Sequence, residues 1–256
     1  MKNNFRKITI YLILIVLLAG TLRIARAIQE ERYAVDAYFY FEMAKDWACY
    51  GVSYSQACEG INIPPLLPWL MAMGYRLGIS PNYSGLIIGI LLGSLMPLAA
   101  FWIASNLFSN HQKKEEKFWN KNTYALLAAF LVAVHPFLIR ISVSCLREIL
   151  YLPLIAFTLA FAVSAIYKNS IWRWCVFAFL TALACMSRRE AIFIFAAFLI
   201  WQIVELVFDR KSFIKNIKYK TLSIILVMLI FLGLMLFIHC QLQEISTVWS
   251  PFFLPV

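Results

Sequence analysis

The sequence predicts an all-α protein that crosses a membrane several times. Three observations point there. Hydrophobic residues make up 62% and charged residues 14% of the 256-residue chain, against roughly 45–50% and about 25% in soluble domains. The apolar residues fall into runs near the ~20 residues a helix needs to cross a bilayer. The basic residues gather in alternate connections between those runs, as the positive-inside rule requires. These features exclude a soluble domain and a disordered chain. Nine Gly and nine Pro exclude collagen-like and low-complexity classes. No large soluble catalytic domain has room, so any chemistry must sit in the membrane or in one loop.

The first apolar run follows Met1-Lys-Asn-Asn-Phe-Arg-Lys7. A signal peptide is the alternative, but no small-residue cleavage site follows cleanly, and Arg23 and Arg26 continue the helix face. The run therefore reads as an uncleaved span over about 8–27. Further spans are expected at about 83–107, 123–139, 149–167, 171–187, 191–208 and 221–240, which makes seven in a single membrane domain 1–256. The fifth is short. There is no repeat and no soluble linker. The stretch Ile61–Ile79 is apolar enough to span, but inserting it would invert every later loop. It is expected along the outer leaflet instead.

With the N-terminus in the cytosol, 14 of the 23 Lys and Arg residues face the cytosol and nine face outward. The nine outward acids balance the nine outward bases, so the whole net charge of +10 is cytosolic. It is a topological signal in an inner or plasma membrane and calls for no nucleic acid. The cytosolic bases are mostly Lys, whereas eight of the nine outward ones are Arg. Arg presents a planar fork suited to phosphate and carboxylate. Arg140, Arg147, Arg188 and Arg189 fall at span ends or in short turns, where an anionic lipid head group would lie. Snorkelling, or pairing with Glu148 and Glu190, is the alternative for any one of them.

The first outward loop, about 28–82, is the one long polar segment. Its stretch Tyr33–Trp47 fits a short amphipathic helix. Phe39, Met43 and Trp47 recur every four residues and are expected to form a membrane-facing stripe, with Tyr40 and Ala44 on the side of Asp36. Asp36 opens the helix. An N-cap role and a chemical role are compatible there, since a carboxylate at a helix start is fixed in place and stays ionised. Asn62-Ile-Pro-Pro65 reads as the start of a second interfacial helix. Cys49 and Cys58 lie between the two, and a disulfide is open to them if the loop is outside the cytosol. The six Cys contain no CxxC pair, which argues against a zinc or redox motif. His135, before Pro136, is either structural or within reach of an acceptor. His111 and His239 read as interfacial.

At this point the sequence resembles the GT-C glycosyltransferases, most closely the bacterial branch related to protein O-mannosyltransferases and lipid A aminoarabinose transferases. Four features carry the resemblance. One span leads to a long outward loop with an early acid, Asp36-Ala-Tyr-Phe-Tyr40-Phe-Glu-Met-Ala44. Pro64-Pro-Leu-Leu-Pro-Trp-Leu70 precedes a Gly78-Ile-Ser turn. His135-Pro136 is followed by Ser142-Val-Ser-Cys-Leu-Arg147-Glu148-Ile-Leu-Tyr151. Ser187-Arg-Arg-Glu-Ala191 lies between the fifth and sixth spans.

The resemblance implies transfer of a sugar from a polyprenyl-phosphate carrier to a lipid or glycan acceptor on the outward face, with membrane lipids as surroundings. It implies that Asp36 is the catalytic or acceptor-activating carboxylate, that Glu148 is the second motif's acid, and that Arg188 or Arg189 faces the phosphate. Tyr40, Arg140, Arg147 and His135 complete the candidate substrate-binding set. Some relatives use a divalent metal, but the acids here are too dispersed for ligands to be assigned. Protein mannosyltransferases carry Asp-Glu where this chain has Asp36-Ala37, which argues against a protein acceptor. Family members usually continue past the seventh span, so this chain is expected to be truncated, minimal or inactive alone. The competing reading is a non-catalytic membrane subunit. A transporter fits less well, because transporters put polar or broken-helix features near the midplane, and the charges here crowd one surface.

Overall fold

The computed structural model describes residues 2–29, 33–51, 64–108, 121–168 and 170–208, with single residues at 221, 225, 226, 229 and 233. Every regular element among the described residues is helical: α1 Lys2–Gln29, α2 Val35–Tyr50, α3 Leu66–Arg76, α4 Pro81–Leu107, α5 Lys121–Val134, α6 Pro136–Ser142, α7 Glu148–Lys168, α8 Ile171–Ser187, a 3-10 turn Arg189–Ala191, and α9 Ile192–Phe208. Four segments are long and apolar enough to cross a membrane: Arg6–Gln29, Pro81–Leu107, Glu148–Tyr167 and Arg189–Phe208. The chain is thus an all-helical, multi-pass membrane protein.

The expected span at 123–139 is broken. α5 and α6 meet at a bend of 55°, at His135-Pro136. The cause is local: proline has no N–H to continue the ladder, and it drives the preceding residue out of the helical region. His135 sits accordingly at φ −65°, ψ 115°. The pair counts as a fifth span only if both halves are taken together. α8, at 17 residues, is shorter than a typical crossing, and the expected seventh span at 221–240 lies almost wholly outside the described residues. The count of seven is therefore not reached among them.

α4 is the central helix, packing against α1, α5, α6, α7 and the α2–α3 pair. Small residues let it take that place. Gly85, Gly89 and Gly93 recur every four residues, and a Cβ on Gly89 would collide with the Ser142 carbonyl of α6. Close backbone approach of this kind is how helices associate in lipid, where apolar burial gives little drive. α9 is peripheral and leaves Phe193, Ile200, Ile203 and Phe208 exposed, as a lipid-facing surface does.

α2 and α3 form a hairpin over one end of the bundle. α3 has 11 residues, so it is only about 16 Å long and does not span alone. The expected lipid-facing stripe on α2 holds at Phe39, which is exposed, and is corrected at Met43 and Trp47. Met43 and Trp47 are only 1% and 9% exposed, packed in one core with Leu66, Leu67 and Met71 of α3. The sequence pattern shows an apolar face but not what covers it, and α3 covers this one. Trp69, Met73 and Leu77 form an exposed apolar stripe along α3 and its C-terminal end. Arg76 ties the hairpin, donating from Nη2 to the Trp47 carbonyl (3.0 Å) and from Nε to the Ala48 carbonyl (3.2 Å). These are last-turn carbonyls of α2 that lack donors within the helix.

Candidate active site

The site is assembled from three short breaks in helical structure. α6 ends at Ser142, and the chain turns through Cys145, a non-glycine residue at φ 54°. That turn delivers Arg147 and Glu148 to the start of α7, where a carboxylate is favoured by the helix dipole. α8 ends at Arg188, whose backbone is extended (φ −154°, ψ 129°), before the 3-10 turn begins. Ser187 Oγ donates to the Arg147 carbonyl at 3.2 Å. This bond joins two corners that lie 40 residues apart in sequence.

Glu148 is the hub. Arg188 Nη1 donates to its Oε1 at 2.9 Å, and Arg147 Nε lies 3.9 Å from the same oxygen. Arg188 is also paired through Nε with Glu190 at 3.1 Å and sits over the Tyr151 ring at 5.4 Å, within cation–π range. Arg188 is therefore held between two carboxylates and an aromatic ring. Arg147 is held more loosely.

Tyr40 faces this cluster from one turn inside α2. Burial raises its phenol above the ordinary value. Arg147 and Arg188 pull it down, while Glu148 and Asp36 push it up. The hydroxyl thus stays protonated at neutral pH and senses Asp36, Arg147, Glu148 and Arg188 together. Asp36 itself is exposed in the first turn of α2. It is not the N-cap, as the helix start in the sequence suggested. Ala34 occupies that position, and the Ala37 N–H bonds to the Ala34 carbonyl. The carboxylate is left unoccupied by capping.

Beside the cluster lies a partly open cavity of about 430 Å³, lined by Tyr33, Ala34, Phe137, Arg140, Ile141, Ser144 and Leu146. Arg140 is its cation. Ser144 Oγ donates to the Ile141 carbonyl, which holds that wall. Arg189 is exposed at the start of the 3-10 turn. His135 is exposed at the α5–α6 break, with its ring edge toward Phe137. No contact among the described residues ties His135 to the Glu148–Arg188 cluster.

The structure thus joins Arg147, Glu148 and Arg188 in one ion-paired corner, within electrostatic reach of Tyr40, which also feels Asp36 one turn away on α2, and puts Arg140 on the cavity wall. Among the described residues no three of His, Cys, Asp and Glu converge as metal ligands do. Cys49 is exposed, and Cys58 lies outside the described residues. Sequence reasoning missed Arg23, which it counted only as an outward base. The structure buries it completely inside the bundle. A lone Arg within an apolar run was the available signal.

An arginine-rich corner on broken helices of a membrane bundle, with an exposed carboxylate on the neighbouring hairpin, has the chemistry to meet an anionic group. The sequence profile of the dolichyl-phosphate-mannose-protein mannosyltransferase family matches residues 62–235. The chain belongs to this family, and with it to the membrane glycosyltransferases of GT-C type that draw on a lipid-linked sugar. No curated protein and no solved structure matches the chain.

Proposed function

We propose that the protein transfers a sugar from a polyprenyl-phosphate carrier to a lipid or glycan acceptor at the external face, with Asp36 as the base. The observation that carries this reading is the ion-paired corner of Arg147, Glu148 and Arg188, within electrostatic reach of Tyr40 on the helix that bears Asp36, in a chain of this family. The acceptor hydroxyl attacks the anomeric carbon and gives its proton to Asp36. The bond from that carbon to the phosphate oxygen breaks, and polyprenyl phosphate leaves with the electron pair. Positive charge fixed at the phosphate stabilises the leaving group.

The two carboxylates take different parts. Glu148 is held in ion pairs, so it orients Arg188 and Arg147 rather than taking a proton. Asp36 is exposed and uncommitted, which suits a base that must meet an incoming hydroxyl. Arg140 and its cavity suit the head group of a bound lipid, and the Tyr40 hydroxyl is a donor to phosphate oxygen. Ala37 is fully buried, so a Glu there, as in protein mannosyltransferases, has no space. This supports a non-protein acceptor and the bacterial branch. The mechanism routes no step through a metal.

The test is transfer or release of sugar from a panel of polyprenyl-phosphate sugars in membranes. Wild type is compared with Asp36→Asn at matched expression. Loss of about 10²-fold or more is expected, the range for removal of a general base. Equal activity removes Asp36 as the base. No transfer by wild type across the panel favours a non-catalytic subunit.

A further inference from the structure

Arg23 of α1 is completely buried and bonds to three helices. Its Nε donates to Ser142 Oγ at 3.0 Å, and its Nη1 donates to the carbonyls of Ala19 (2.9 Å) and Ala133 (3.4 Å). These partners belong to three elements: α6, α1 and α5. Ser142 Oγ passes the bond on, donating to the Leu138 carbonyl at 2.7 Å. Ala133 is in the last turn of α5, where carbonyls lack intrahelical donors and the dipole is negative. Room for the guanidinium comes from Gly93 of α4, where a Cβ would meet both Ser142 Oγ and Arg23 Nε.

A guanidinium buried among apolar helices is costly. Among the described residues no carboxylate pairs with Arg23, and its Nη2 is buried without a hydrogen-bond partner. An apolar side chain would fill the volume at less cost. What it could not do is bridge the last turn of α5 to the end of α6 across the 55° break. α6 carries Arg140 and runs directly into the Cys145 turn that sets Arg147 and Glu148.

We propose that Arg23 is a positioning residue: from inside the bundle it holds the two halves of the broken span, α5 and α6, in their bent relation, and so sets where Arg140 and the Arg147–Glu148 corner sit. Its effect on transfer rests on the function proposed above. Its effect on the Cys145 turn does not.

The native reporter is Cys145, fully buried in that turn with Sγ bonded to the Asn82 carbonyl at 3.7 Å. The experiment uses the full chain in detergent micelles, with Cys49, Cys58, Cys175, Cys185 and Cys240 replaced. Native-state maleimide labelling of Cys145 is timed alongside sugar transfer. Arg23→Met is expected to label at least about tenfold faster than wild type. Arg23→Lys, which keeps charge but cannot bridge, falls between. Ser142→Ala also labels faster, and the double variant labels no faster than Arg23→Met. A Phe177→Leu control in the α8–α9 core, matched for thermal loss, labels at the wild-type rate. Transfer falls in Arg23→Met and recovers partly in Arg23→Lys.

Wild-type labelling rates in Arg23→Met and Ser142→Ala would overturn the proposal whatever transfer does. Faster labelling with unchanged transfer would reduce Arg23 to a packing contact and overturn it too. If Arg23→Met does not fold, Arg23→Lys and Ser142→Ala decide by the same labelling. If wild type shows no transfer, labelling still decides, and the failure falls on the proposed function alone.

Discussion

The Glu148–Arg188 pair offers a quantitative test of how the site is held. The side chains are 23% and 29% exposed, and the charged atoms lie 2.9 Å apart. At an effective dielectric of ~20 the gross attraction is about 6 kcal/mol, most of it offset by desolvation. The net worth of a hydrogen bond between charged groups, about 1.5–3 kcal/mol, is the relevant scale. The two ends are not equivalent. Glu148→Gln leaves Arg188 compensated by Glu190 and Tyr151, whereas Arg188→Met leaves Glu148 with Arg147 alone at 3.9 Å.

We therefore expect Arg188→Met to cost about 2 kcal/mol and Glu148→Gln about 1, with a coupling energy of about 1 kcal/mol in the double variant. In thermal unfolding of the purified protein these correspond to losses of roughly 4–8 °C and 2–4 °C. The assay is a double-mutant cycle read by fluorescence-detected elution after heating. Coupling below about 0.3 kcal/mol, the level of independent sites, would refute the pair as the element that orders this corner. So would a larger loss for Glu148→Gln than for Arg188→Met.

Three further outcomes follow from the packing. Gly89→Ala should destabilise by about 1–3 kcal/mol, the cost of overpacking, because its Cβ would meet the Ser142 carbonyl backbone; a Tm within 1 °C of wild type would show that α4 and α6 are not so close. The Cys145 thiol is pushed up to about 12 by burial, so it stays protonated from pH 7 to 9. Maleimide at pH 8 should label exposed Cys49 in the native protein far faster than Cys145, with the two rates becoming comparable only after denaturation, as mass spectrometry of the labelled peptides would show. Arg76→Met removes two donors from the last turn of α2 and should cost about 1 kcal/mol, seen as a Tm lower by roughly 2–4 °C.

The spans were readable because lipid imposes a one-dimensional rule: long apolar runs must form helices, and their charges must lie at the ends. α1, α4, α7 and α9 follow from that rule, with boundaries shifted by a few residues. The expected span at 123–139 ran across Pro136 and missed the break, although the signal was local, since a missing N–H acts on its neighbours and not on distant residues. The residues of the ion-paired corner were partly legible for the same reason. Arg147, Glu148 and Arg188 stand at helix ends, and Asp36 stands in the first turn of a helix, where polar groups in a membrane protein collect.

Other features depended on where the helices pack. The face of α2 that carries Met43 and Trp47 looks like a lipid surface in sequence and is a protein core in the fold, because an apolar stripe does not specify its cover. The pairing of Glu148 with Arg188 spans 40 residues and arises only when α7 and α8 lie together. Arg23 shows the difference most plainly. Its place in an apolar run is visible in the sequence, yet its partners, Ser142 and Ala133, lie more than 100 residues away. Local composition sets which segments enter the bilayer. Which buried polar atoms then meet depends on the close approach that Gly85, Gly89 and Gly93 permit, and that approach exists only between helices already packed.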